Sequence, residues 1–331
     1  MHLIAAPDKF RGTASAPEVA AAIADAAAVA GWSCRQLPLA DGGEGTVDAF
    51  DGPNRWTEVT GPLGGPVEAA WRLDGAVAVV EMASASGLAL AGGKSRNDPV
   101  TASTVGTGQL IAAAIDAGAQ RVIVGIGGSA TTDGGLGAVD VLEPYAPLDA
   151  SRGAQVLVAC DVTTPFVDAA AIFGPQKGAD EHQIGQLRQR LVDLAGTYAD
   201  RFGVHVADLP GSGGAGGLGG GLAALGATLA PGFDLIADER GLPAAVAGAD
   251  LVITGEGLLD PQSLAGKVVG GVAKIAGDER TAAVVGAVAD GMTVPFPVIS
   301  LLATYGEQRA FRNTLSCVRE ATAGLLERHR G

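Results

Sequence analysis

Cysteine is too sparse and too scattered to organise this chain. Cys34, Cys160 and Cys317 are odd in number and far apart, which excludes a disulfide framework and any C-x-x-C metal clip. Histidine is nearly as scarce: His2, His182, His205 and His329 fall into no H-E-x-x-H or other metal-ligand spacing and read as structural or surface residues. Aromatic residues make up 4% against 47% hydrophobic residues overall, so alanine, valine and leucine must fill the core. Positive charge is short as well. With 22 basic and 36 acidic residues the net charge is −14, which argues against a nucleic-acid or anionic-membrane surface. Mean hydropathy is positive, yet no stretch reaches the ~18 uninterrupted apolar residues of a membrane helix. The opening Met1–Lys9 lacks a basic start and meets a charge at Asp8, so no secretory signal is read there and a cytoplasmic setting is expected.

Glycine is what the chain has in excess. Its 51 glycines follow no simple period and point to many tight loops. Residues 121–135 run from the apolar Val122-Ile123-Val124 into Gly125-Ile126-Gly127-Gly128-Ser129-Ala130-Thr131-Thr132-Asp133-Gly134-Gly135. Glycine lets backbone N–H groups approach an anion closely, and a neighbouring carboxylate can hold a divalent cation. The arrangement recurs at Leu37–Gly45, which carries Asp41 and Glu44, and at Leu251–Gly257, which carries Glu256. Three such loops at strand ends indicate a site for phosphate and metal.

A length of 331 residues suits two α/β domains. The first fifty residues read as β-α-β. Strand Leu3–Ala6 leads to Ser15-Ala16-Pro17-Glu18, a capping box with proline in the first turn, and Cys34–Leu39 is the next strand. Short strands at Trp56–Thr60, Val67–Leu73 and Val77–Met82, divided by Gly-Pro and Asp-Gly turns, predict an antiparallel meander. Alternation then resumes, with helices over 101–117, 181–200, 264–276 and 307–328 and strands at 121–126, 156–160, 250–254, 282–287 and 297–302. Such alternation implies a parallel sheet with right-handed crossovers. The fold class expected is therefore α/β in two domains, a parallel-sheet domain and an inserted mixed α/β domain, with the site in the cleft between them. The expected boundaries are 1–50, 98–138 and 248–331 for the first and 51–97 and 139–247 for the second.

Known phosphate motifs fit poorly. Gly93-Lys94-Ser95 offers the tail of a Walker A loop, but residue 88 is leucine where glycine is required. Gly125–Ala130 fits the dinucleotide pattern G-x-G-x-x-A, yet no strand ending in an acid follows it, which leaves an NAD-linked reading weak. Gly211-Ser212-Gly213-Gly214-Ala215-Gly216 opens a predicted helix and is read as an anion loop. Asp41, Glu44, Asp133, Asp161 and Glu256 all follow apolar strands, where open α/β sheets place their ligands. Phosphoryl transfer needs a base or orienting group and carboxylates for Mg²⁺, and this set can supply both. Lys9 and Arg11 in the first loop, glycine-flanked Lys177, and Lys267 at a helix start are the candidate cations.

Together these segments resemble the bacterial glycerate kinase family, the class unrelated to P-loop kinases. The matching stretches are Ala6–Gly12, Leu39–Gly45, Gly127–Gly135, Ala159–Thr163, Phe173–Ala179, Pro210–Gly219, and Ile253–Gly257 through Gly266-Lys267. The resemblance implies two α/β domains, one flavodoxin-like, and ATP-dependent phosphorylation of D-glycerate, usually at the 2-hydroxyl, with Mg²⁺. Carried onto this chain, Asp41, Asp133, Lys177 and Glu256 are the expected catalytic residues, Asp41 as base. Asp8, Lys9, Arg11, Glu44, Asp161 and Gln176 would bind the acid, and Asp133 and Asp161 the metal. Gly127, Gly128, Ser129, Thr131, Gly211, Gly213 and Gly214 would hold ATP. A small-molecule substrate is expected, with no nucleic-acid or membrane partner. Departures from the family pattern are Arg11 for lysine, Thr164-Pro165-Phe166 for Asn-Pro-Leu, Leu258 for arginine, Pro261 for glycine, and a segment after Val141 shortened to 142–155. They motivate an alternative, a diverged member that takes another hydroxy acid or binds nucleotide without transfer.

Overall fold

The computed structural model describes residues 1–330, and the chain divides into two compact units. Unit 1 comprises Met1–Asp41, Asp48–Asp51 and the chain from Phe233 onward; unit 2 comprises Gly42–Val47 and Gly52–Gly232. The strands in chain order are β1 (His2–Ala5), β2 (Ser33–Gln36), β3 (Arg55–Thr60), β4 (Pro66–Asp74), β5 (Val77–Glu81), β6 (Arg121–Gly125) and β7 (Gln155–Ala159). They continue with β8 (Thr228–Ala230), β9 (Leu251–Thr254), β10 (Leu258–Leu259), β11 (Thr281–Val285), β12 (Ala287–Val288) and β13 (Val298–Ser300). Among the described residues no helix is long and apolar enough to cross a membrane.

Unit 1 is built on a parallel five-stranded sheet in the order β13-β11-β9-β1-β2. Counted within the unit this is 2-1-3-4-5, the flavodoxin-like order. Its central strands are mostly apolar because both faces are covered. On one face Leu3, Ile253 and Val284 pack with Val19 and Ile23 of helix Ala16–Val29 and with Val318 and Leu326 of helix Thr314–Arg330. On the other, Val285 and Ala283 pack with Val269 and Phe296. The first helix starts as its sequence predicts. Ser15 Oγ accepts from Glu18 N–H, Glu18 Oε2 accepts from Ser15 N–H, and Pro17 lies in the first turn.

Unit 2 carries a six-stranded sheet, β3-β4-β5-β6-β7-β8. The meander β3-β4-β5 is antiparallel as expected, and β5 through β8 run parallel. Helices Val105–Asp116 and Leu136–Leu142 form the crossovers on either side of β6. Trp71, Leu110, Phe166, Leu191, Tyr198 and Leu222 are buried in its core.

Three expectations change. Residues 98–138 belong to unit 2, because β6 pairs with β5 and β7 in register Val79↔Ile123↔Leu157 and has no place in the five-stranded sheet, and residues 233–247 belong to unit 1. The predicted helix over 264–276 is two helices, Pro261–Leu264 and Val268–Ala276, separated where Gly266 adopts a φ of +102°. The last predicted helix is likewise interrupted, into Glu307–Arg312 and Thr314–Arg330.

Candidate active site

The carboxyl ends of β1, β9 and β11 carry loops that lie one against the next. Asp8 N–H donates to Gly255 O, and Gly286 N–H donates to Glu256 O. The close fit depends on two glycines. A Cβ on Gly255 would stand 2.1 Å from Val284 O, and one on Gly286 would stand 2.4 Å from Gly257 O. The β1 and β9 loops flank the point where chain order reverses across the sheet, which is where open α/β folds bind ligands. A cavity of about 480 Å³ opens there. Its polar end holds Asp8, Asp41 and Glu256 with Lys9, Arg11 and Lys267.

Charge at this end is finely opposed. Asp8 Oδ1 accepts from Lys9 N–H at 2.6 Å and lies 3.6 Å from Lys9 Nζ, while Lys267 Nζ lies 3.8 Å from Asp41 Oδ2. Burial pushes the Asp8 carboxyl up to about 6; Lys9 opposes this and Asp41 adds to it. Burial pushes Glu256 further, to about 7, with the negative charges of Asp8 and Asp260 adding to it and Ser263 and Lys267 pulling back. Glu256 Oε1 is buried with no hydrogen-bond partner. A buried, unpaired carboxylate oxygen is costly to keep and marks a group reserved for a ligand.

Lys267, a candidate cation outside the expected site set, joins this end. It is the N-cap of helix Val268–Ala276, and the turn at Gly266 brings its ammonium to Asp41. Leu302 and Phe311, which also line the cavity, carried no signal. Leu258 stands at its mouth and Arg11 is exposed beside it.

Unit 2 contains the other expected residues and treats them differently. Asp133 is a buried organiser of its loop. Its Oδ2 accepts from Thr104 N–H, Thr104 Oγ1 and Gly137 N–H, and its Oδ1 accepts from Gly135 N–H. Both oxygens are engaged, and through Gly135 and Gly137 the side chain ties down the start of helix Leu136–Leu142. Lys177 does not reach solvent: only 2% exposed, it donates from Nζ to Thr131 O at 2.6 Å. The expectation that Gly211, Gly213 and Gly214 cradle phosphate meets a filled space. A Cβ on Gly213 would stand 2.4 Å from Pro165 O, and one on Gly214 would stand 2.9 Å from Cys160 Sγ. Thr131 is buried, and its hydroxyl finds no partner there.

Other members of the set remain reachable. The loop 42–46 backs onto the ends of β6 and β7, since Gly42 packs against Ala159 and Gly127 against Gly43. Exposed Glu44 therefore stands near the Gly127-Gly128-Ser129 turn. Asp161 is exposed and its Oδ1 accepts from Gly232 N–H; Gln176 is exposed as well. The family departures are absorbed without loss of fold. Phe166 is fully buried, edge-on to Tyr198, and the short 142–155 segment is tied down by Leu148 N–H donating to Leu225 O.

Lys177 makes a measurable prediction. Burial lowers its ammonium from the usual 10.5 to about 7, against a smaller opposite effect of Asp133. Between those values the unfolded chain holds a proton that the folded chain has lost, so stability rises with pH across that window. Urea unfolding at pH 7 and pH 9.5 is expected to show the wild type gaining on the order of 3 kcal/mol relative to Lys177→Met. Parallel pH dependences for the two proteins contradict this.

The family model described as "Glycerate kinase family" matches residues 3–144 and 145–300. Similar proteins include a glycerate kinase of Halalkalibacterium halodurans, 42% identical with 83% of this chain and 82% of the relative covered. Glycerate 2-kinase of Escherichia coli K12 is 41% identical at the same coverage. In three dimensions the chain is similar to a crystal structure described as a glycerate kinase 2 from Salmonella typhimurium LT2, with a TM-score of 0.86 and 37% identity, covering 100% of this chain and 98% of that one.

Proposed function

Since the chain belongs to the glycerate kinase family, we propose that it transfers the terminal phosphoryl group of ATP to D-glycerate, at the 2-hydroxyl. The observation that carries this reading is the polar end of the unit 1 cavity, where three carboxylates meet three cations around an unpaired Glu256 oxygen. Phosphoryl transfer asks the protein for positioning and charge stabilisation more than for covalent chemistry.

Each group then has a task. Glu256, raised toward neutrality, takes the proton from the attacking hydroxyl, since a base works best when its pKa lies near the working pH. Asp41, expected from sequence as the base, instead holds the Lys267 ammonium at the polar end. Lys9, Arg11 and Lys267 offset the charge of phosphate and of the glycerate carboxylate. In unit 2, Asp133, Lys177 and Thr131 shape the loop that ends in Gly134, while Glu44, Asp161 and Gln176 stay exposed.

Mg²⁺ fits this donor set. Among the described residues no group of three or more His, Cys, Asp or Glu side chains could hold a metal ion. Mg²⁺ in kinases is usually held by one or two carboxylates plus substrate phosphates, and Asp8 and Asp41 offer hard oxygens of that kind. When bound, the ion neutralises charge on the transferring group.

The test is an assay with ATP, Mg²⁺ and D-glycerate, with the product identified by ³¹P NMR. No phosphoglycerate above a no-enzyme control removes the reading. A product phosphorylated at the other hydroxyl corrects the position only.

A further inference from the structure

The unit 1 cavity is larger and more apolar than glycerate requires. A three-carbon acid with a carboxylate and two hydroxyls has almost no apolar surface and leaves most of about 480 Å³ unfilled. That volume lies in the ~300–1,000 Å³ range of pockets for larger organic ligands. Away from the acids and cations the lining turns apolar, with Leu258, Leu301, Leu302, Ala310 and Phe311. Three of these stay in water: Leu258 is 52%, Leu302 40% and Phe311 61% exposed. Large apolar side chains left uncovered around the mouth of one cavity mark a surface that meets apolar matter.

Resting on the kinase reading above, we infer that this apolar half is the purine site for ATP, the base packing on Phe311, Leu302 and Leu258 with the triphosphate directed to Lys9, Arg11 and Lys267. A purine has two apolar faces, and an aromatic ring is the side chain best suited to stack on one. The polar end suits the other half of the same molecule. Three cations interleaved with three carboxylates favour a metal-bound triphosphate over a bare anion, which the carboxylates would repel. The three cations locally offset the three carboxylates in a chain whose net charge is −14. Leu258 extends the apolar rim where the family pattern carries arginine. The purine thus lies in unit 1, on the flavodoxin-like sheet.

Calorimetric titration of the full-length protein with Mg²⁺–ATP and with Mg²⁺–tripolyphosphate tests this, using wild type, Phe311→Ala and Leu302→Ala. Phe311 is the more exposed of the two, and its removal takes little from the core. The Phe311→Ala variant is expected to bind ATP ~10-fold more weakly or worse, with tripolyphosphate binding and the KM for D-glycerate unchanged. Leu302→Ala is expected to follow with a smaller loss. ATP affinity indifferent to both substitutions overturns the assignment, and a rise in the glycerate KM alone hands the cavity to the acid and overturns it equally. Active transfer with such indifference leaves the kinase reading intact. Phe311-dependent ATP binding without transfer to glycerate upholds the purine site and removes the kinase reading.

Discussion

Glu256→Gln is expected to lower kcat by ~10²–10⁴-fold, the usual worth of a positioned general base. The substitution keeps shape and hydrogen-bonding capacity but cannot accept the proton. In the wild type, activity should fall as pH drops below about 7, because the folded carboxyl is then protonated where an ordinary glutamate would still be charged. A weaker limb from Asp8, raised to about 6, lies below it. The profile of kcat/KM against pH should lose its upper acid limb in the variant. Should Glu256→Gln retain wild-type kcat while Asp41→Asn abolishes it, Asp41 is the base, as the family resemblance implied.

The same carboxyl bears on stability, with the opposite benefit. Its folded value lies above the ordinary 4.5, so from there to about 7 the unfolded chain releases a proton that the folded chain retains. Stability from this group is present below 4.5 and is lost as pH rises toward 7. The glutamine variant, free of that buried charge, is expected to be more stable than wild type at pH 8 by on the order of 1–2 kcal/mol in urea unfolding. A gain in stability with a loss of turnover is the signature of a strained functional group.

The second large effect is expected at Gly216. Gly216→Ala should destabilise unit 2 by about 3 kcal/mol, seen as a lower urea midpoint. Two costs add. The residue holds a φ of +72°, which L side chains adopt only under strain, and a Cβ there would stand 2.0 Å from Thr131 O. That carbonyl also accepts from Lys177 Nζ, so the displacement spreads to a buried ammonium. Gly185→Ala, in open space on helix Glu181–Phe202, is the control and should be neutral or slightly stabilising. Equal midpoints for Gly216→Ala and wild type would show that the loop yields freely.

The primary structure carries local features best. The Ser15–Glu18 cap, the three meander strands and the acids at strand ends were all readable, because each depends on residues a few positions apart. Asp8, Lys9, Arg11, Asp41 and Glu256 were named as site residues, and the structure brings them to one cavity. Other features depend on long-range packing. Residues 121–125 look like any buried parallel strand, and nothing in their pattern says which of two sheets they join. The glycines at 211–217 read as an anion loop, since the same composition serves a cradle or a close approach of two backbones. Flanking glycines likewise say nothing of what covers the Lys177 ammonium.

The sequence by itself determined the fold class, the loops that carry chemistry and the family, since periodicity, caps and short motifs are local consequences of residue order. The tertiary structure alone decided sheet membership, the burial that drives Glu256 and Lys177 toward neutrality, and the meeting of Lys267 with Asp41. It also decided the apolar wall that Leu302 and Phe311 add from the far end of the chain. Desolvation and packing depend on which distant segments come together, and that information belongs to the folded state as a whole.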